Sequence, residues 1–201
     1  MNDLSQALER TARDGYAHLD GALDERTCRA LWREIRRAPM RRMAGTFGKG
    51  GAVSMEIDGF DLEAPFDGFP ALEELRRSFG ERVRERGAAI RGLARWRQNE
   101  AGIATYRPGS VGITAHLDGR WYRRLVAVFT VVGSGRFEIR ASRAGEPLET
   151  WIARTGGVAL MRGPGLAGAR DGRPFHAVHG PSRGVRCSVA LRMSIDAPSR
   201  A

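Results

Sequence analysis

Apolar residues in this chain recur at two different periods, and the change from one to the other falls near residue 100. Before it the spacing is helical. Cys28, Leu31, Trp32 and Ile35 stand at i, i+3, i+4 and i+7, which places them on one face of an α-helix. Asp24 ahead of them offers a carboxylate to the first unpaired amides, and Pro39 closes the element. Residues 4–13 predict an earlier helix that Gly15 ends, and Leu72, Leu75, Phe79 and Val83 predict a third one after Pro70, broken near Gly87. Between the first two, Tyr16-Ala17-His18-Leu19 alternates as a short strand before the turn Asp20-Gly21.

From residue 102 onward the period becomes that of strands. GIATYR, GITAHLD, LVAVFTVV, RFEIRAS, ETWIA, VALMRG, PFHAV and RCSVALRM follow one another, separated by turn signals such as Pro108-Gly109 and Gly156-Gly157. Short strands in such number after helices predict an α+β domain built on a jelly roll. Residues 1–99 then read as helical support and residues 100–194 as the jelly-roll core, within one domain spanning 1–201. Residues 40–60 fit neither period, because glycines at 45, 48, 50 and 51 interrupt both. A loop with a short strand near 53–57 is expected there, placed to serve as a substrate lid that offers Arg41, Arg42 and Met43.

Composition narrows the class. Apolar residues make up 42% and charged residues 28% of 201, the mix of a water-soluble globular domain. No segment reaches the length of a membrane span, and the start at Met1-Asn2-Asp3-Leu4 lacks a basic and an apolar leader region, so a cytoplasmic protein with no membrane partner is expected. Cys28 and Cys187 stand far apart, outside metal-ligand spacing, and read as buried fillers. The formal charge of +10 favours anionic partners, but Lys49 is the one lysine and the arginines are dispersed, which weakens the case for a nucleic-acid stripe.

The chemistry lies in two stretches, Ala115-His116-Leu117-Asp118-Gly119 and Pro174-Phe175-His176-Ala177-Val178-His179, the latter followed by Arg186-Cys187-Ser188. A His and an Asp two apart on an extended segment point to the same side of it. With a distant His they complete two imidazoles and a carboxylate, the facial triad that binds Fe(II) and leaves positions open. Arg186 and Ser188 share a strand face with Ala190 and Arg192, and a guanidinium with a nearby hydroxyl suits a carboxylate.

In this order and spacing the motifs resemble the 2-oxoglutarate/Fe(II)-dependent dioxygenase superfamily over residues 100–194. The resemblance implies a double-stranded β-helix, with His116, Asp118 and His176 holding Fe(II), and 2-oxoglutarate and O2 as cosubstrates. Arg186 and Ser188 would bind the far carboxylate of 2-oxoglutarate, with Tyr106 and Arg192 assisting. The interval of ten residues to Arg186 selects His176 over His179 as the ligand and leaves His179 at the rim. Tyr106-Arg107-Pro108-Gly109 and the second arginine, Arg192, are similar to the AlkB-type demethylases of nucleic acid, although Ala104 stands where that subgroup carries Asn. The implied reaction is hydroxylation or oxidative demethylation of a small-molecule substrate or of alkylated nucleic acid, with release of succinate and CO2. Arg120, Trp121 and Tyr122 follow the His-x-Asp and are expected at the mouth, against substrate. A non-catalytic, small-molecule-binding jelly roll is the other reading of the fold, and it would have no need of the Arg-x-Ser clamp.

Overall fold

The computed structural model describes residues 3–195, so Met1 and Asn2 of the start lie outside the described residues. Three helices precede most of the sheet: α1 (Leu4–Asp14), α2 (Glu25–Ile35) and α3 (Pro70–Arg86). The strands from the first half are β1 (Tyr16–Leu19), β2 (Arg41–Phe47) and β3 (Val53–Glu63). Those from the second are β4 (Glu100–Tyr106), β5 (Gly112–His116), β6 (Tyr122–Val132), β7 (Ser134–Arg140), β8 (Pro147–Arg154), β9 (Val158–Arg162), β10 (Phe175–Val178) and β11 (Arg186–Ser194). The local signals act as expected: the Thr27 N–H donates to Asp24 Oδ1 at 2.7 Å to start α2, and Gly15 ends α1 at φ 97°.

The strands form one curled antiparallel sheet in the order β1-β9-β6-β11-β4-β3-β5-β10-β7-β8, with β2 hung on β3. It is a double-stranded β-helix. Its corner is β3, whose residues 58–63 pair with β4 while Met55 and Glu56 pair with β5. One strand thus belongs to both walls. The three helices cover the outer face of the first wall, where Leu8, Leu31, Leu72 and Phe79 pack against Ile103, Phe129, Val189 and Leu191. Each such side chain removed from water contributes about 1.5–3 kcal/mol. Among the described residues no helix is long and apolar enough to cross a membrane.

All eight strands expected after residue 100 are present, but residues 40–60 are not the expected loop. They form a β-hairpin in which residues 41–47 of β2 pair with residues 53–59 of β3 across a short 3-10 turn, Lys49–Gly51. The glycines do two different things here: Gly50 and Gly51 make the turn at φ 69° and 65°, whereas Gly45 lies inside the strand. Because β2 is exposed at every residue except the half-buried Met43, it has too little apolar alternation to betray it. The first 99 residues therefore bring three strands into the sheet besides their helices.

Candidate metal and cosubstrate site

Antiparallel pairing of β5 with β10 sets His116 directly opposite His176. The two rings lie 4.2 Å apart, centroid to centroid. Asp118 follows two residues beyond His116, and one ligand atom from each of the three lies within 4.8 Å of the others. His116 Nδ1 faces the Thr114 carbonyl at 2.8 Å and His176 Nδ1 faces that of Pro174 at 3.2 Å. With Nδ1–H donating to these oxygens, each ring presents an unprotonated Nε2 to a metal. Burial, with His176 alongside, pushes the pKa of His116 down to about 4, which keeps its imidazole neutral at pH 7, the form a metal can bind.

Two arginines outside the motif hold its backbone. Arg143 Nη1 donates to Ala115 O at 2.8 Å and to Ala52 O at 3.0 Å, tying the ligand-bearing strand to the hairpin. Arg173 donates to the carbonyl of Asp118 itself and pairs through Nε with Asp171 at 2.8 Å. Hydrogen bonding to Arg173 holds the Asp171 carboxyl well below the usual range, so this support stays charged in mild acid.

Arg186 starts β11 and is completely buried. Its Nη2 donates to Thr130 Oγ1 at 3.1 Å, and its guanidinium lies 4.9 Å from the centre of the Tyr106 ring. Nε and Nη1 have no partner among the described residues. Ser188, also buried, lines the main cavity on the same face of the strand. Arg192 lines it too, but its charge is taken up locally: Nη1 donates to Glu100 at 2.9 Å and to the Tyr122 hydroxyl at 2.6 Å, and Nη2 lies 3.5 Å from Asp61. Burial opposes this charge, and Tyr122, Glu100 and Asp61 together outweigh it and raise the Arg192 pKa. Gly102 makes room for the group, since a Cβ there would fall 1.4 Å from Arg192 Nη2.

The cavity encloses about 280 Å³, with His116, Asp118 and His176 among its lining and Met43, Met55, Ile57 and Ile113 as apolar wall. A much smaller recess holds Arg186, Thr130, His18 and Trp151, and it shares Val128 and Phe137 with the main cavity. Of the expected substrate residues, Tyr122 lines the cavity, while Trp121 is half-buried beside it at 5.6 Å between ring centroids. Arg120 is 79% exposed and lies 3.4 Å from Asp171, outside the cavity lining. His179 is outside the cavity lining and lies 3.0 Å from Glu138. Cys28 and Cys187 are buried free thiols. Sequence spacing alone missed Thr130, Glu100, Asp61, Arg143 and Arg173, which reach the site from separate elements; Glu100 carried one usable signal, a carboxylate at the head of an apolar strand.

No protein-family model matches this chain, and no curated protein matches it. Solved structures do. A prolyl-4-hydroxylase of Pseudomonas putida aligns over 96% of this chain and 98% of its own, with TM-score 0.66 at 18% identity. A 2OG-Fe(II) oxygenase family oxidoreductase of Burkholderia pseudomallei aligns over 96% and 91%, with TM-score 0.67 at 15% identity. The non-haem α-ketoglutarate-dependent epimerase SnoN of nogalamycin biosynthesis aligns over 95% and 82%, with TM-score 0.64 at 18% identity. At these identities the likeness is one of fold: this chain folds as 2-oxoglutarate/Fe(II) oxygenases do.

Proposed function

We propose that the protein is an Fe(II)- and 2-oxoglutarate-dependent dioxygenase that hydroxylates or oxidatively demethylates an organic substrate. The observation that carries this reading is Arg186, a buried guanidinium with two unpartnered nitrogens in a recess adjoining the His116/Asp118/His176 cavity. A buried charge left without a partner costs several kcal/mol. A carboxylate accepting from the free N–H groups of this guanidinium would offset that cost through charge-assisted hydrogen bonds. The ligand set passes the same test: two imidazoles and one carboxylate suit Fe(II) and leave coordination positions open.

Bound iron, with 2-oxoglutarate and O2, would supply oxidation of a C–H bond with release of succinate and CO2. The chain's own residues contribute positioning. Backbone acceptors at Thr114 and Pro174 aim the imidazoles, and Arg143 and Arg173 fix the carbonyls on either side of the His-x-Asp. Tyr106 and Thr130 orient the Arg186 guanidinium. The apolar wall around Met43, Met55 and Ile57 excludes water and favours a substrate with an apolar body.

Anaerobic titration with Fe(II) and then 2-oxoglutarate tests the reading. A weak visible charge-transfer band is expected in the wild type and not in His176→Ala or Arg186→Ala. Absence of the band, with no binding of 2-oxoglutarate, sinks it in favour of a non-catalytic jelly roll.

A second reading, demethylation of alkylated nucleic acid, is favoured by one observation. Arg124, two residues after the cavity-lining Tyr122 on β6, is crowded by Arg95, Arg123 and Arg97, and Arg97 and Arg124 donate to backbone carbonyls, so positive charge gathers at the start of this strand, outside the cavity lining. Succinate release stimulated by methylated oligonucleotides, and suppressed by added salt, would select this reading over a small molecule.

A further inference from the structure

Four aromatic rings stand in file from the metal site to the surface. Phe137 stacks on His176 with centroids 5.8 Å apart and planes inclined by 6°. Trp151 stacks on Phe137 at 4.7 Å and 20°, and His18 stacks on Trp151 at 4.8 Å and 12°. These rings come from β10, β7, β8 and β1, of which β8 and β1 are the two ends of the sheet order. The outermost, His18, is 32% exposed and has Glu149 within 3.6 Å. Packing alone would be content with aliphatic side chains or tilted rings, as in the edge-on contacts of Phe79 with Trp96 and Phe129. Here successive planes stay close to parallel, which gives continuous π contact out of the cavity.

We propose that Trp151 is an electron donor to the metal site through Phe137 and His176, draining oxidant that forms when O2 reacts at bound iron with no substrate in the cavity. The inference rests on the Fe(II)/2-oxoglutarate reading above. Indole is the most readily oxidised ring in the file, and a phenyl ring is too hard to oxidise to hold the charge, so Phe137 serves as a bridge. In the step, one electron leaves the Trp151 indole and reduces the oxidant formed from O2 at the iron by one unit. The indole radical cation releases its N–H proton to water, which half-buried Trp151 can reach. What remains is a neutral indolyl radical some distance from the ligands, and His116 and His176, otherwise the rings nearest the oxidant, are spared.

The test uses full-length protein loaded anaerobically with Fe(II) and 2-oxoglutarate, its charge-transfer band recorded, then exposed to O2 without substrate in the presence of a nitrone spin trap. The indolyl radical adds to the nitrone carbon and the unpaired electron moves to the N–O group, leaving an adduct that peptide mass spectrometry locates. The expected adduct is on Trp151. In Trp151→Phe it is lost and oxidation of His116 or His176 rises; Trp151→Tyr restores a trappable radical at that position. In Phe137→Leu, with the band retained, the Trp151 adduct falls to background. An adduct on Trp151 that is undiminished in Phe137→Leu, or equal labelling of Trp32 and Trp121, overturns the relay in favour of a diffusing radical. A normal band with no adduct at Trp151 overturns the relay alone; no band at all overturns the iron reading and the relay with it.

Discussion

The two faces of β11 were made from alternate residues of one nine-residue strand, yet they are chemically opposite. Toward the helices, Cys187, Val189 and Leu191 are each fully buried among apolar side chains. Toward the cavity, Arg186, Ser188 and Arg192 are also largely withdrawn from water, but they carry two charges and a hydroxyl. Burial is therefore not what distinguishes core from site in this molecule. The difference lies in pairing: the helix face is apolar side chain against apolar side chain, whereas on the cavity face Arg186 Nε and Nη1 have no partner among the described residues.

That contrast can be broken by exchanging the two kinds of loss. Arg186→Met is expected to weaken 2-oxoglutarate binding by roughly 2–5 kcal/mol, while the ligand-free protein melts at the same temperature or higher because a buried unpaired charge has gone. Calorimetric titration and a thermal melt of the same sample read both. Leu191→Ala should do the reverse, costing about 2–5 kcal/mol of stability in a denaturant titration and leaving cosubstrate affinity of the folded fraction unchanged. If Arg186→Met unfolds the protein instead, the guanidinium is a structural group and the contrast is false.

Smaller effects sharpen it. Arg173→Met removes the donor to the Asp118 carbonyl and should weaken metal binding about 10- to 100-fold, measured by competition with a chelator. Gly102→Ala pushes a methyl into Arg192 and should cost about 1–3 kcal/mol of stability. The smallest effect concerns Cys187, whose thiol burial pushes up to about 11. The folded pKa lies above the unfolded one, so its contribution to stability is intact below pH 9 and declines only as pH rises toward 11. At pH 8 the native protein should leave Cys187 unlabelled by a thiol reagent, and unfolding should expose it.

Strands are legible where apolar residues alternate with polar ones, as Cys187, Val189 and Leu191 do around Ser188 and Arg192 on β11, or where the run is largely apolar, as in β6. The exposed β2 has no such contrast, so its pairing with β3 was invisible in the residue pattern. The triad was legible for a related reason. Strand spacing aligns His116 with Asp118, and antiparallel register does the rest by setting His176 opposite. What supports the triad and the cavity arginines was not legible. Thr130, Glu100, Arg143 and Arg173 reach the site through contacts 28 to 92 residues away in sequence where their bonds are to the β5 segment or β11, and no local period records a hydrogen bond across such a gap.

The β2–β3 hairpin carries Met43 and Met55 into the cavity wall while the triad and Arg186 stand on other strands. Since β2 is bonded along one side only, its residues can vary with little effect on the strands that carry His116 and His176. The molecule is in this sense modular: the shape of the cavity mouth can change in an overhanging ribbon while His116, Asp118 and His176 keep their places on the walls beneath it.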